Sequence, residues 1–358
     1  MRLLTLYVLR HIAAIFAFSI AALCTIFIVV NLIENLDDFL DTHTPAAVIA
    51  EYYVLFLPEM LKYLAPVATL LAILFGIGRL TQRHEVTAMK ASGMGLRQLA
   101  APVLVSTAIL SSLQLLFNGW LVPKANQRKI AIERRYLQRS PSGAFFNLAF
   151  RDSPTRLVLL QRYEPEEQRA YGVAIEEYTG QLAPRWSHRL EAPVMAWDSL
   201  LQRWHLREVT VRSYGPLPTV HTLPETTLAL RLRHETIVRL QRSPAEMTLP
   251  ELHRYVEELA AGGQDVRTLQ VTYFSEYALP FAHFIVALLA IPLASMYRRA
   301  GLAAQFGTAA VLTFTYLVFA RISQTLGVVL MMPPLLAGWF ANLVFFLIGC
   351  GILWRTRT

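Results

Sequence analysis

The histidines, serines and cysteines of this chain do not form the patterns that catalysis or metal binding requires. Its 9 histidines are scattered without H-E-x-x-H or another metal-ligand spacing, and no serine stands in the context of a hydrolase nucleophile. The two cysteines, Cys24 and Cys350, both fall within apolar runs, which excludes a disulfide framework and a thiolate metal cluster. We therefore expect no catalytic residue, no metal and no cofactor.

The chain itself also lacks the common nucleotide-binding loop motif. No segment matches G-x-x-x-x-G-K-[ST], the loop whose backbone N–H groups cradle nucleotide phosphates. If the protein uses ATP, another subunit must bind it.

The most specific polar segment is the short connection at 81–95, TQRHEVTAMKASGMG. Glu85, Val86 and Met89 can share one side of a short helix, and the glycines that follow permit a turn. The segment fits either an ordinary polar connection or a coupling helix that binds a cytoplasmic motor subunit. The candidate contact residues are Arg83, Glu85, Val86, Met89 and Lys90.

Long apolar runs must position these residues, three before and three after a polar insert. They cover approximately residues 12–32, 53–80, 99–122, 273–296, 303–327 and 335–354. Each is long enough to cross a bilayer, which takes about 20 mainly apolar residues. The first run has no small-residue cleavage site after it, so it is predicted to be an uncleaved span rather than a signal peptide.

The basic residues of the short segments predict the orientation, because Lys and Arg accumulate on the cytoplasmic side. They lie at both termini and in the second-to-third and fourth-to-fifth connections: Arg2, Arg10, Arg79, Arg83, Lys90, Arg97, Arg298, Arg299, Arg355 and Arg357. The first-to-second loop is acidic. Both termini are therefore predicted to be cytoplasmic and the insert to lie outside. This bias, with a mildly basic insert, accounts for the net charge of +8, and no compact basic patch indicates nucleic-acid binding.

The insert has the pattern of an all-β domain. Short segments rich in Val, Leu, Thr, Tyr and Trp alternate with Pro and Gly punctuation, which predicts strands at 156–163, 172–178, 190–198, 203–214 and 219–230. Partway along the fourth segment, the apolar residues move from one set of alternate positions to the other and so change face, which suggests a bulge. Antiparallel strands at this spacing favour a sandwich or jelly roll.

Three sequence blocks together resemble one family. They are LTQRHEVTAMKASG at 80–93, LLAIPLASMYRR at 288–299 and MPPLLAGWFANLVFFLIG at 332–349. With the three-plus-three layout, they look like the LptF/LptG family of lipopolysaccharide export permeases. The first block and MTLPELHRYVEELAAGGQD at 247–265 look more like LptG than LptF.

The resemblance implies a fold, a function and partners. The fold is an α-helical membrane protein with six transmembrane helices and an inserted periplasmic all-β jelly-roll domain, in the inner membrane of a Gram-negative cell. The expected domains are 1–123, with the coupling helix at about 81–95, then 124–270 and 271–358. The function is extraction of lipopolysaccharide from the inner membrane by a heterodimer of the two paralogous permeases. Two copies of the ATPase LptB supply the energy, and LptC and the LptA bridge receive the lipid.

Basic residues near the outer ends of the spans fit an amphiphile with anionic phosphates. The resemblance implies lipopolysaccharide binding by residues of these regions: Lys62, Lys124, Arg128, Lys129, Arg134 and Arg135. Lys62 equally fits snorkelling or pairing with Glu59, and the cluster after the third span equally fits a solvated interfacial run. Glu276, His283 and Arg321 lie within later spans and are interpreted as interhelical polar contacts.

Two other classes of function remain open. A secondary transporter would be expected to show inverted repeats and broken helices with midplane ion ligands, which the sequence lacks. A non-transporting assembly or sensor protein with a periplasmic β domain is the other alternative. Co-purification of a stoichiometric ATPase would favour the permease.

Overall fold

A computed structural model describes most of the chain as two compact units. The described residues are 2–93, 95–137, 145–179, 185–214, 218–230, 232–234, 237, 243–261, 265–295 and 302–355. The first unit comprises residues 1–130 and 267–358, and the second comprises 131–266. Three basic residues used to predict the orientation or the family, Arg298, Arg299 and Arg357, lie outside the described residues.

The first unit is helical. Its helices are α1 (Arg2–Glu34), α2 (Leu36–Asp41), α3 (Ala46–Gln82), α4 (Glu85–Ala91), α5 (Leu96–Leu116), α6 (Val122–Tyr136, which continues into the second unit), α8 (Arg267–Ala278), α9 (Ala282–Ser295), α10 (Leu302–Val329) and α11 (Pro334–Arg355). A π-helical turn, Phe117–Leu121, joins α5 to α6, and a 3-10 turn, Leu279–Phe281, joins α8 to α9.

Six helical segments of the described chain are long and apolar enough to cross a membrane. They are Leu3–Glu34, Ala46–Gln82, Leu96–Tyr136, Arg267–Ser295, Ala310–Val329 and Pro334–Arg355. The six predicted spans are confirmed. The third is longer than predicted, because the helix continues through the π turn after its apolar part has ended.

The α3 helix is the centre of this unit. It packs against α1, α4, α9 and α10, and its buried residues between Leu70 and Leu80 join those of α5 and α9 in one apolar cluster. Gly76 allows α1 to approach closely, since a Cβ atom there would lie 3.0 Å from Cγ1 of Ile12.

A chain of buried polar contacts ties the second, third and fourth spans together. In α3, Nζ of Lys62 lies 2.7 Å and 2.6 Å from the two carboxylate oxygens of Glu276 in α8. The Gln114 amide in α5 donates to the Lys62 carbonyl at 2.9 Å. Its oxygen therefore faces Nε2 of His283, while Nδ1 of that ring lies 2.6 Å from the Thr69 hydroxyl. Each contact crosses between helices, as polar groups within a bilayer require.

The second unit contains an antiparallel sheet, which confirms the inserted all-β domain. Its strands are β1 (Phe145–Ser153), β2 (Arg156–Glu164), β3 (Arg169–Thr179), β4 (Arg185–Asp198), β5 (Arg203–Ser213) and β6 (Thr219–Leu228), paired in sequential order. The first strand was not predicted. A 3-10 turn (Pro244–Glu246) and α7 (Leu249–Ala261) follow.

One face of the sheet is closed by the chain that leaves β6. The indole nitrogen of Trp204 donates to the Leu232 carbonyl at 2.5 Å, and the Leu232 amide donates to Asp152 at 3.1 Å. Leu230, Leu232 and Ile237 join the buried cluster under the strands.

The alternation of inward and outward side chains shifts by one residue along a line that crosses the sheet. Alternate strands carry a positive φ there: Asn147 (φ 51) in β1, Gly172 (φ 62) in β3 and Glu208 (φ 55) in β5. On either side of Glu208, Leu206 and Val209 both point into the core. A residue with positive φ turns the strand backbone. The alternation of inward and outward side chains then starts again, and the apolar residues on both sides of the turn point into the core.

The residues that oppose this line in the neighbouring strands are Gln161, Pro193 and Pro224. Pairing is interrupted there and resumes in the same register. Proline fits these positions because it has no N–H for a ladder hydrogen bond. The predicted face change in β5 is therefore confirmed, but the predicted bulge in that strand is wrong, because the pairing of β5 with β4 and β6 shows no register shift.

The Lys62–Glu276 pair predicts a non-additive stability effect. Lys62→Gln should lower the free energy of unfolding by about 3 kcal/mol, because it leaves the Glu276 carboxylate without its cation. Glu276→Gln should cost about the same for the opposite reason. The double variant should recover most of the loss, since two neutral amides can hydrogen-bond. Thermal unfolding in mild detergent measures this, with the exposed Lys90→Gln as control. Additive losses in the double variant would contradict the pairing.

Candidate coupling and lipid-binding residues

The predicted coupling segment contains a short helix held between two left-handed residues. His84 (φ 62) precedes α4, and Gly93 (φ 85) follows it. Glycine adopts that backbone without steric cost, so the chain turns directly into the third span. This places α4 between the ends of α3 and α5.

The five predicted coupling residues divide between two faces of this segment. Val86 and Met89 are buried in the apolar cluster of the spans, so they anchor α4 to its own unit. Arg83 and Lys90 are exposed. Glu85 is half-buried, and its carboxylate accepts a hydrogen bond from the Tyr7 hydroxyl at 3.3 Å. The side available to another protein therefore carries Arg83, Glu85 and Lys90.

Two of the predicted lipid-binding lysines of this unit form ion pairs with carboxylates. Lys62 pairs with Glu276, and Nζ of Lys129 lies 2.5 Å from a carboxylate oxygen of Glu59. The alternative pairing of Lys62 with Glu59 is thus wrong, because Lys129 takes that carboxylate. Both lysines are buried, and Lys129 also lies over the ring of Phe56, 4.5 Å from its centroid.

The start of α6 has one buried and one exposed side. Asn126 and Lys129 point inward with Val122, whereas Lys124 and Arg128 are exposed four residues apart and so share a face. Nζ of Lys124 lies 3.9 Å from the ring centroid of Trp120, an arrangement typical of a cation–π contact at a membrane interface.

The last two predicted lipid-binding residues belong to the second unit. Arg134 lies 3.6 Å from Glu246, which is itself buried and caps the 3-10 turn with Ser243. Arg135 is exposed, and its guanidinium lies 5.5 Å from the ring centroid of Tyr136. Arg134 is exposed as well, but the Glu246 carboxylate partly neutralises its charge.

Interhelical contacts of Glu276 and His283 are confirmed, but Arg321 makes none in the described structure. The one hydrogen bond of its side chain among the described residues runs within α10, to Gln324 at 3.5 Å. The partners Thr69 and Gln114 were not singled out from sequence, although polar side chains in the apolar second and third spans were a signal for them. Within the described ranges, no group of three His, Cys, Asp or Glu side chains could hold a metal ion.

Comparison with known proteins gives the family. A sequence profile described as "Lipopolysaccharide export system permease LptF/LptG" matches residues 6–355. The LptG permease protein of Escherichia coli strain K12 is 25% identical over 317 residues, which are 85% of this chain and 84% of that protein. The corresponding protein of Haemophilus influenzae is 20% identical over 309 residues, 84% of each chain. With six candidate spans and an inserted antiparallel sheet, this chain belongs to the LptF/LptG family of lipopolysaccharide export system permeases.

Proposed function

We propose that this protein is a permease subunit of an ABC transporter that extracts lipopolysaccharide from the inner membrane for delivery to the outer membrane. The family match over residues 6–355 is the observation that carries the proposal. The six candidate spans and the inserted sheet support it. The similarity to LptG proteins favours the LptG role over LptF.

The partners follow from the same proposal. The chain would pair with its paralogue, LptF, and two LptB subunits would hydrolyse ATP on the cytoplasmic side. LptC and LptA would receive the lipid. The basic segments support cytoplasmic termini and a periplasmic insert, with α4 on the side of the ATPase.

In this proposal, α4 transmits the movement of the ATPase to the spans. Val86 and Met89 fix the helix to the span core, so a displacement of α4 by the ATPase must move α3 and α5 as well. Glu85 is the acidic residue of this exposed side and suits a basic group of LptB.

We predict that Glu85→Lys weakens ATPase binding or uncouples hydrolysis from transport. A charge-assisted contact is worth roughly 1.5 to 3 kcal/mol, and the reversal turns it into a repulsion. Retention of LptB on the purified permease and ATP-dependent lipopolysaccharide release from proteoliposomes are the measurements. Tyr7→Phe removes the internal hydrogen bond of Glu85 but keeps the carboxylate, so this control should stay coupled. Normal LptB retention together with normal release by Glu85→Lys would exclude the contact.

Lipopolysaccharide phosphates would meet the exposed side of α6. Lys124 and Arg128 are accessible and lie just beyond the apolar part of the third span, at the depth of headgroup phosphates. Lys62 and Lys129 are already neutralised by carboxylates, so their proposed contribution requires these pairs to open.

We predict that Lys124→Gln with Arg128→Gln lowers lipopolysaccharide capture about thirtyfold. Each charge near the headgroups contributes about 1 kcal/mol, and 1.4 kcal/mol corresponds to a factor of ten. Photo-crosslinking of lipopolysaccharide to the purified complex measures capture. The control pair is Arg185→Gln with Arg203→Gln, which removes the same charge from two exposed strand positions. Equal losses in both double variants would show that net charge, not position, is responsible.

A further inference from the structure

The third span contains one turn that is wider than the rest of the helix. In the π-helical turn Phe117–Leu121, the Val122 amide donates to the carbonyl of Phe117, five residues earlier instead of four. The sequence explains the position of this turn: Pro123 has no N–H for the carbonyl of Gly119, and its ring crowds that carbonyl. The turn therefore holds one residue more than a regular α-helical turn would.

The π turn leaves one buried amide without a partner. The Asn118 side chain is 4% exposed, and neither its nitrogen nor its oxygen has a hydrogen-bond partner among the described residues. By contrast, the Gln114 amide, one turn earlier, donates to the Lys62 carbonyl, which Pro66 deprives of its helical donor. A buried polar group without a partner costs free energy, so the described arrangement of the π turn is not strongly favoured over another.

The extra residue decides which side chains of α6 point inward. A regular α-helix advances about 100° and 1.5 Å per residue. If the π turn became a regular turn, the part of α6 that belongs to the first unit would rotate by about 100° relative to α5. Each of its residues would then move to the place of the residue that follows it.

The inward side of α6 has equivalent chemistry in both registers. The residues buried in the described register are Val122, Asn126 and Lys129, and those that would take their places are Leu121, Ala125 and Arg128. Each set begins with an aliphatic side chain and ends with a cation. The Glu59 carboxylate, which now pairs with Lys129 at 2.5 Å, would therefore meet Arg128 instead. Neither register leaves this carboxylate without a cation.

The outward side of α6, in contrast, differs between the registers. Lys124 and Arg128 are exposed in the described register and form its basic face. In the other register, Pro123 and Gln127 would take these two places, which would then carry no charge. The register of α6 therefore decides whether this side of the helix can bind an anion.

We propose that the π turn switches α6 between two registers, of which only the described one presents the basic face. This inference rests on the proposed function, in which the basic face meets the phosphates of lipopolysaccharide, and adds how a bound phosphate is released. A shift by one residue exchanges Lys129 for Arg128 at Glu59. The phosphate thereby loses both of its cations, while the buried carboxylate keeps one and avoids the cost of an unpaired charge.

The test measures the accessibility of two neighbouring cysteines in the complete complex, with Cys24 and Cys350 replaced by alanine. Asn126→Cys occupies a buried position of the described register, and Ala125→Cys a half-buried one. Both substitutions keep Glu59 and its two candidate cations. The reagent is a water-soluble maleimide, and the labelling rate of each cysteine is measured without nucleotide or lipopolysaccharide.

Addition of Lys129→Gln should select the other register, since only Arg128 can then give Glu59 a cation. We expect labelling of Asn126→Cys to become about tenfold faster and labelling of Ala125→Cys to become slower, because each cysteine moves to the place of the next residue. Faster labelling at both positions would mean local opening of the helix, and unchanged rates would mean a fixed register. Either result would overturn the proposal.

Deletion of Gly119 is the matched control. It removes the extra residue, so a regular α-helix then keeps position 129 toward Glu59, and Lys129→Gln should no longer change either rate. If the deletion prevents assembly of the complex, Lys129→Arg replaces it as control, because it keeps a cation in the described register and should leave the rates as they were. A change of rates in the control would overturn the proposal. Since no transport step is measured, failure here would leave the proposed export function untouched.

Discussion

A bilayer interior offers no water to a polar group, and the membrane unit is organised by that constraint. The Lys62–Glu276 pair and the contacts of Gln114, His283 and Thr69 form one connected network through the second, third and fourth spans. In hydrocarbon, van der Waals packing and such contacts hold helices together, since there is no hydrophobic driving force between them. The network therefore fixes these three spans in one arrangement, and the apolar cluster beside it extends that arrangement to α4.

The same constraint gives Arg321 its meaning. Lys62 and Lys129 are neutralised by carboxylates of other helices, whereas the Arg321 guanidinium has no carboxylate partner among the described residues. A cation within a span normally faces another protein, water or a functional site.

Hydropathy and charge were sufficient to predict the six spans, because length and composition decide whether a helix can cross a membrane. The sequence blocks at 80–93, 288–299 and 332–349 were sufficient to identify the family. Alternation located five strands but missed β1. The pattern in β5 revealed a face change partway along the strand, but one strand cannot show that β1 and β3 have a positive φ on the same line.

The candidate site was predicted in residue type more than in arrangement. Sequence indicated that Lys62, Lys129 and Glu59 lie near the outer ends of spans, but pairing depends on which helices are neighbours. Glu276 is 214 residues from Lys62 along the chain, and Glu59 is 70 residues from Lys129. Burial divided the remaining residues: Val86 and Met89 pack inward, whereas Lys124 and Arg128 face outward, because helical position rather than composition decides exposure.

The central claim is that lipopolysaccharide passes through this protein, and the inner face of the sheet tests it most directly. Val211 and Leu228 are only partly buried against the core, so a photoreactive side chain can replace either one with little disruption. In the complete complex, the account predicts lipopolysaccharide adducts at both positions that accumulate only when ATP is hydrolysed. Adducts to protein alone, in a complex whose ATPase is active, would contradict it.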